Sequence, residues 1–197
     1  MNRSPIHSLS VSTFAKAVPV LLLVSALSLC PLQAAPLSLF DSGYKWQARP
    51  DKGRNAQGSL TQDTVENSSA VTLNYDFSNA GDGAGNGLVA DKDVDIQEGD
   101  SPIRFRVKAS SPFKLQFYIT DSNRTGHAQT VNYDQEGEWF EVEIPLEYSA
   151  FGMHNGGEDP GLAKTITFPI VMVGFFMHYT SSMEPQGTIT FADFPKK

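Results

Sequence analysis

Residues 136–146 read EGEWFEVEIPL. Phe140, Val142 and Ile144 fall on one side of an extended chain, while Trp139, Glu141 and Glu143 fall on the other, because strand side chains alternate faces with a period of two. One face is built for a core. The other sets a tryptophan among carboxylates, where water is the usual neighbour. A strand that is buried on one side and polar on the other belongs to an antiparallel sheet packed on one face.

The same alternation recurs along the chain. Val71, Leu73, Tyr75 and Phe77 share a face in AVTLNYDF; Ile103, Phe105 and Val107 do so in IRFRVKA; Phe113, Leu115, Phe117 and Ile119 do so in FKLQFYIT. Clusters of Gly, Asn, Asp and Pro separate the runs, and no segment carries a convincing helical period. Ten strands are expected, at 45–48, 59–63, 70–77, 87–93, 103–109, 113–120, 129–133, 139–144, 166–179 and 187–193. They predict an all-β fold, a two-sheet antiparallel β-sandwich. Ser110-Ser111-Pro112 reads as a turn, so strands 103–109 and 113–120 are expected to form a hairpin. ITFPIVMVGFFMHY (166–179) is apolar on both faces, as a central strand would be. Within it Pro169 marks a bulge or strand boundary, and Gly174 a bulge or a close approach. SNAGDGAGNG (78–87) reads as a mobile loop without a phosphate-binding context, and 149–164 as a long loop of the kind that often carries function.

The first 34 residues read as an address. Arg3 and Lys16 precede the apolar run AVPVLLLVSALSL (17–29), and small residues follow at PLQAA. That is the order of a secretory signal peptide, with cleavage after Ala34, and the run is short for a bilayer span. The domain proper is then 35–197, and the destination is the periplasm or the exterior. Cys30 is the only cysteine; Leu29 before it argues against a lipoprotein anchor. A mature chain without cysteine must rely on its core, or on a metal. The whole chain has net charge −7, and loss of Arg3 and Lys16 with the leader leaves 13 bases against 22 acids, a net of −9. That balance argues against nucleic acid or an anionic membrane as partner. About 160 residues suffice for one domain with a sizeable core.

Catalytic signatures are weak. His127, His154 and His178 are scattered, with no zinc-type spacing and no cysteine companions. Glu141 and Glu143 lie about 6.6 Å apart along a strand, which overlaps glycosidase carboxylate separations. Solvated or salt-bridged glutamates are the commoner meaning of such a pair. The outward faces are more informative. Arg104, Arg106 and Lys108 line one strand, Lys114, Gln116 and Tyr118 the next, and Trp139, Glu141 and Glu143 a third. In one sheet they would combine aromatic rings with planar hydrogen-bonding groups, which is what a pyranose recognises. Two readings stay open: a sugar-binding face, or cross-strand salt bridges from Arg104 and Arg106 to Glu141 and Glu143, covered by Trp139.

Five pieces, LFDSG (39–43), SAVTLNYDFS (69–78), PIRFRVKASSPFKLQFYITDSNRTG (102–126), GEWFEVEIPLEYSAF (137–151) and QGTITFADF (186–194), occur in an order that resembles the galactose-binding-like jelly roll found in carbohydrate-binding modules of secreted bacterial glycoside hydrolases. The resemblance spans nearly all of the mature chain. It implies a structural Ca2+ site, for which Asp41 and Asp193 match the ligand positions and supply the oxygens a hard cation needs. It also implies glycan binding on a sheet face by Arg104, Arg106, Gln116, Tyr118 and Trp139, or at loop tips by Phe151 and His154. Glu141 and Glu143 would orient the arginines. The expectation is an exported, non-catalytic carbohydrate-binding protein whose partner is an oligo- or polysaccharide. Its rivals are a structural or partner-binding exported protein and a small polysaccharide-active enzyme. Fold alone does not choose among them.

Overall fold

The computed structural model describes residues 37–195, apart from 42 and 163. The expected signal peptide, its cleavage point after Ala34 and Cys30 lie outside the described residues. Eleven strands are present: β1 (Gln47–Ala48), β2 (Gln57–Val65), β3 (Ser68–Asp76), β4 (Gly85–Ala90), β5 (Ile103–Ala109), β6 (Phe113–Asp121), β7 (Thr125–Tyr133), β8 (Phe140–Ile144), β9 (Met153–Gly156), β10 (Ile170–His178) and β11 (Gln186–Ala192). Among the described residues there is no α-helix, only four single 3-10 turns, and no helix is long and apolar enough to cross a membrane.

The strands form a two-sheet antiparallel β-sandwich. One sheet has six strands in the order β1-β4-β10-β6-β7-β9, and the other five in the order β2-β3-β11-β5-β8. Alternation places Phe105 and Val107 of β5, Val142 and Ile144 of β8 and Ile189 and Phe191 of β11 against Leu115, Phe117 and Ile119 of β6 and Val173, Phe175 and Met177 of β10, all of them buried. Phe175 is the hub. Its ring lies 4.5 Å from Phe191, 5.0 Å edge-on from Phe105, 5.4 Å from Phe117, 5.7 Å from Trp46 and 6.1 Å from Phe40. Such aromatic burial is the main favourable term available to this domain.

Three expectations change. First, β5 and β6 do not form a hairpin: β5 pairs with β8 and β11, and β6 with β10 and β7. Ser110-Ser111-Pro112 carries the chain from one sheet to the other. The Ala109 carbonyl, freed of a hairpin partner, accepts from Gly137 N at 2.8 Å and from Tyr133 Oη at 3.3 Å. Second, Gly85 to Gly87 of the glycine-rich stretch belong to β4. Third, the 149–164 segment contains β9, which pairs with β7 at the sheet edge. Pro169 does stand at a strand boundary, with an irregularity in register between Ile170 and Met172.

Candidate functional site

The separation of β5 from β6 divides the sequence-derived site between two outer faces. Arg104, Arg106, Trp139 and Glu141 lie on the five-stranded sheet; Gln116 and Tyr118 lie on the six-stranded sheet. They do not form one surface, because the hydrophobic core stands between them.

On the five-stranded sheet the register sets Arg104 opposite Glu143 and Arg106 opposite Glu141. Arg104 Nε lies 2.9 Å from the Glu143 carboxylate, as the salt-bridge reading requires. Arg106 does something else. It is 5 % exposed, its Nη1 donates to Glu66 at 2.6 Å, and its Nε donates to the Asp193 backbone carbonyl at 3.3 Å. The guanidinium carbon sits 4.5 Å from the centre of the Trp139 ring, and Lys108 Nζ sits 6.0 Å from it. Glu66 occupies the β2–β3 turn in a left-handed conformation, φ 53°, and the hydrogen bond from Arg106 holds its carboxyl below the usual range. Trp139 therefore lies against a buried cation and shields it. A buried charge persists only when paired and bonded, and Arg106 serves as a latch joining β5, the β2–β3 turn and the end of β11. Glu141 remains exposed beside it.

The outer face of the six-stranded sheet is different. Tyr118 of β6 and Phe176 of β10 point outward from its middle, half-buried, with ring centres 6.0 Å apart and planes at 89°. Phe176 pairs with Gly87 on one side and Gln116 on the other. A Cβ on Gly87 would come within 2.6 Å of the Phe176 ring, and one on Gly126 within 2.7 Å of Tyr118 Cζ. Glycine at these two places lets the rings lean onto the sheet instead of standing away from it. Together they make a right-angled aromatic corner, with Gln116 beside it and Thr130 next to Gln116 on β7. On the far side of Tyr118, past Ala128, the exposed Met153 of β9 closes the same row. Phe176 was not singled out in the sequence. The signal was present: β10 is apolar on both faces although it lies in a two-layer sandwich, so one of those faces must meet water.

Asp193 is buried at the end of β11 and accepts hydrogen bonds from Ser38 Oγ and the Phe40 backbone N–H. Burial pushes its carboxyl above the ordinary carboxylate value, against the opposing pull of those donors. Asp41 accepts from Ser69 Oγ at 3.2 Å. A calcium ion needs six to eight oxygens turned towards one point. Here hydroxyl and amide hydrogens are turned towards the carboxylate, and no group of three acidic, His or Cys side chains suited to a metal occurs among the described residues. The Ca2+ reading of Asp41 and Asp193 stays an expectation of the resemblance. Asp193 is a cap on the 38–41 turn.

The loop candidates also separate. Phe151 is buried against Phe117 and His127. His154 of β9 faces His127 of β7 in register, with the two Nδ1 atoms 2.8 Å apart, and its ring stacks on Tyr148 at 3.8 Å. His127 is fully buried, and its Nε2 lies 3.3 Å from the Asp121 carboxylate. Asp121 accepts, so Nε2–H of His127 donates, which makes its Nδ1 the acceptor for His154 Nδ1–H. Burial lowers the His127 pKa, opposed by Asp121. The unfolded chain binds a proton near pH 6.5 that the folded chain refuses, so stability is lost as the pH falls below about 6.5. The urea midpoint is expected to be lower at pH 5 than at pH 7. That difference should shrink in His127→Gln; an unchanged slope in the variant would assign the pH dependence elsewhere.

By sequence the chain matches no family model and no curated protein. Solved structures resemble it in fold. The family 11 carbohydrate-binding module from Clostridium thermocellum, in complex with a β-1,3-1,4-mixed-linked tetrasaccharide, superposes with TM-score 0.55 at 16 % identity over 79 % of this chain and 91 % of that one. The family 11 module of the cellulosomal cellulase Lic26A-Cel5E of Clostridium thermocellum does so with TM-score 0.50 at 16 % identity, over 81 % and 91 %. An exo-β-agarase matches with TM-score 0.50 at 12 % identity over 74 % of this chain, which spans 22 % of that enzyme. The fold is the β-sandwich jelly roll of carbohydrate-binding modules, in agreement with the resemblance read from the sequence.

Proposed function

We propose that the protein is an exported, non-catalytic binding protein for an oligo- or polysaccharide, which lies on the outer face of the six-stranded sheet. The observation that carries this reading is the Tyr118–Phe176 corner, two outward aromatic rings on a sheet face levelled by glycine. A pyranose has apolar C–H faces that stack on a ring and hydroxyls that take planar amides. Tyr118 and Phe176 supply the first, Gln116 the second. The likeness of fold to carbohydrate-binding modules supports the reading, and the signal-peptide order read in the sequence of residues 1–34 supports export. Glu141 and Glu143 lie on the opposite outer face, remote from the corner, which weakens the polysaccharide-active alternative.

Affinity electrophoresis through gels containing soluble polysaccharides tests the reading. The protein should be retarded in at least one gel. Tyr118→Ala should weaken that binding by roughly thirty-fold, the loss of a hot-spot contact of about 2 kcal/mol, while Trp139→Ala should leave most of it intact. Equal mobility of the parent in every gel would overturn the reading in favour of a protein partner.

A further inference from the structure

The charge of the chain is spread unevenly over its surfaces. The protein carries 22 acids against 15 bases, yet the outer face of the six-stranded sheet holds almost none of the excess. On β6, β7, β9 and β10 the outward side chains include no acid at all; the only basic side chains there are Lys114 and His178. At the β1 edge, Asp91 is paired with Arg49 at 2.9 Å and Asp51 with Arg54 at 3.5 Å. The opposite face carries both signs: Asp63, Glu66, Glu141 and Glu143 with Arg104, Arg106 and Lys108, of which Arg104 pairs with Glu143 and Arg106 with Glu66.

Lys114 and His178 are also neighbours. Met177 pairs with Leu115 in the core-facing register, so the next positions along, His178 and Lys114, sit side by side and face outward. Both are exposed, and among the described residues neither makes an ion pair. The flanking partners add no charge: Gly85 of β4 lies beside His178, and Asn132 of β7 beside Lys114. Two residues back along the same strands are Phe176 and Gln116, about 6.8 Å away by strand rise. A sugar stacked on the aromatic corner therefore places its own substituents, or those of the next unit, over Lys114 and His178.

We infer that the glycan taken by this face is anionic, its carboxylate or sulfate group lying over Lys114 and His178. This rests on the glycan reading above. An unpaired lysine beside a histidine, on a face otherwise cleared of acid, attracts a negative group through a local field that the net charge of the protein would oppose elsewhere. Carboxylate and sulfate share that chemistry, and the test separates them.

The probes are two matched pairs of polymers: polygalacturonate with its methyl ester, and a sulfated galactan with its desulfated form. Binding to each is measured at low and at 0.5 M salt, for the parent, Tyr118→Ala and the double variant Lys114→Gln/His178→Gln. The acidic member of one pair should bind at least about tenfold more tightly than its neutral counterpart at low salt, and the preference should fade at high salt. The pair that responds names the group. In the double variant the preference should collapse while the residual binding stays dependent on Tyr118. Equal affinity for acidic and neutral members, with Tyr118→Ala abolishing both, overturns this inference and leaves the glycan reading standing. A preference that survives in the double variant overturns the role of Lys114 and His178. Failure of all four polymers to bind the parent overturns the inference, and failure of the wider panel as well overturns the glycan reading.

Discussion

Phe175→Ala is expected to lower the unfolding free energy by about 3–5 kcal/mol, the range for removing a large aromatic from a packed core. Phe175 is central in the ring cluster, touching aromatic side chains from β5, β6, β11 and the segment before β1. None of these neighbours can collapse into the gap without leaving its own partners, so the cavity term adds to the lost transfer term. A domain of this size has only about 5–15 kcal/mol in total, and the described residues contain no cysteine to cross-link them. The substitution should therefore remove a large part of the margin. Urea titration at pH 7 measures it. Phe175→Leu, which keeps most of the volume, should lose less than half as much; equal losses for the two would mean that the ring cluster is not what fixes the sandwich.

Asp121→Ala should be of similar size for a different reason. The Asp121 carboxylate is fully buried and accepts from Thr125 N at 2.8 Å, Thr167 N at 3.0 Å and His127 Nε2 at 3.3 Å. Alanine would leave two backbone N–H groups and an imidazole N–H without a partner. At about 1–3 kcal/mol for each buried unsatisfied donor, with partial rescue by water, the loss is about 3–5 kcal/mol. Its location is as diagnostic as its size. Thr125 begins β7, which carries β9, and Thr167 precedes β10. Limited proteolysis should cut the variant first within 149–167, before global unfolding. Uniform cleavage over the whole chain would refute the view that this carboxylate organises that edge of the sheet.

Alternation was a good guide to which way side chains point and a poor guide to which strands are neighbours. The limits of β5 and the inward faces of β3, β5, β6 and β8 were legible in the sequence because burial on one side leaves a period of two. Sheet membership was not, because a short polar segment such as Ser110-Ser111-Pro112 can turn a chain back within a sheet or carry it across a sandwich. That single ambiguity scattered the candidate site: Tyr118 and Gln116 were read beside Trp139 and Arg106, and the core stands between them. Arg106 shows a second limit. Its partner Glu66 is 40 positions away on a turn, while Glu141, the residue directly across the ladder, only looks like its partner. β9 was missed because Met153-His154-Asn155-Gly156 has neither alternation nor β-branched residues, and it is held by the His154–His127 contact and by its pairing with β7.

The Asp193 cap has a topological consequence. By holding Ser38 and Phe40, the carboxylate at the end of the last strand fixes the 38–41 turn beside residue 193. Entry to and exit from the sandwich thus share one doorway. Domains whose ends meet can be spliced into a loop of a host protein, or rejoined and reopened elsewhere, without unravelling. The sandwich has the wiring of a portable cassette, able to hang from another chain by both ends while each sheet keeps its outer face clear.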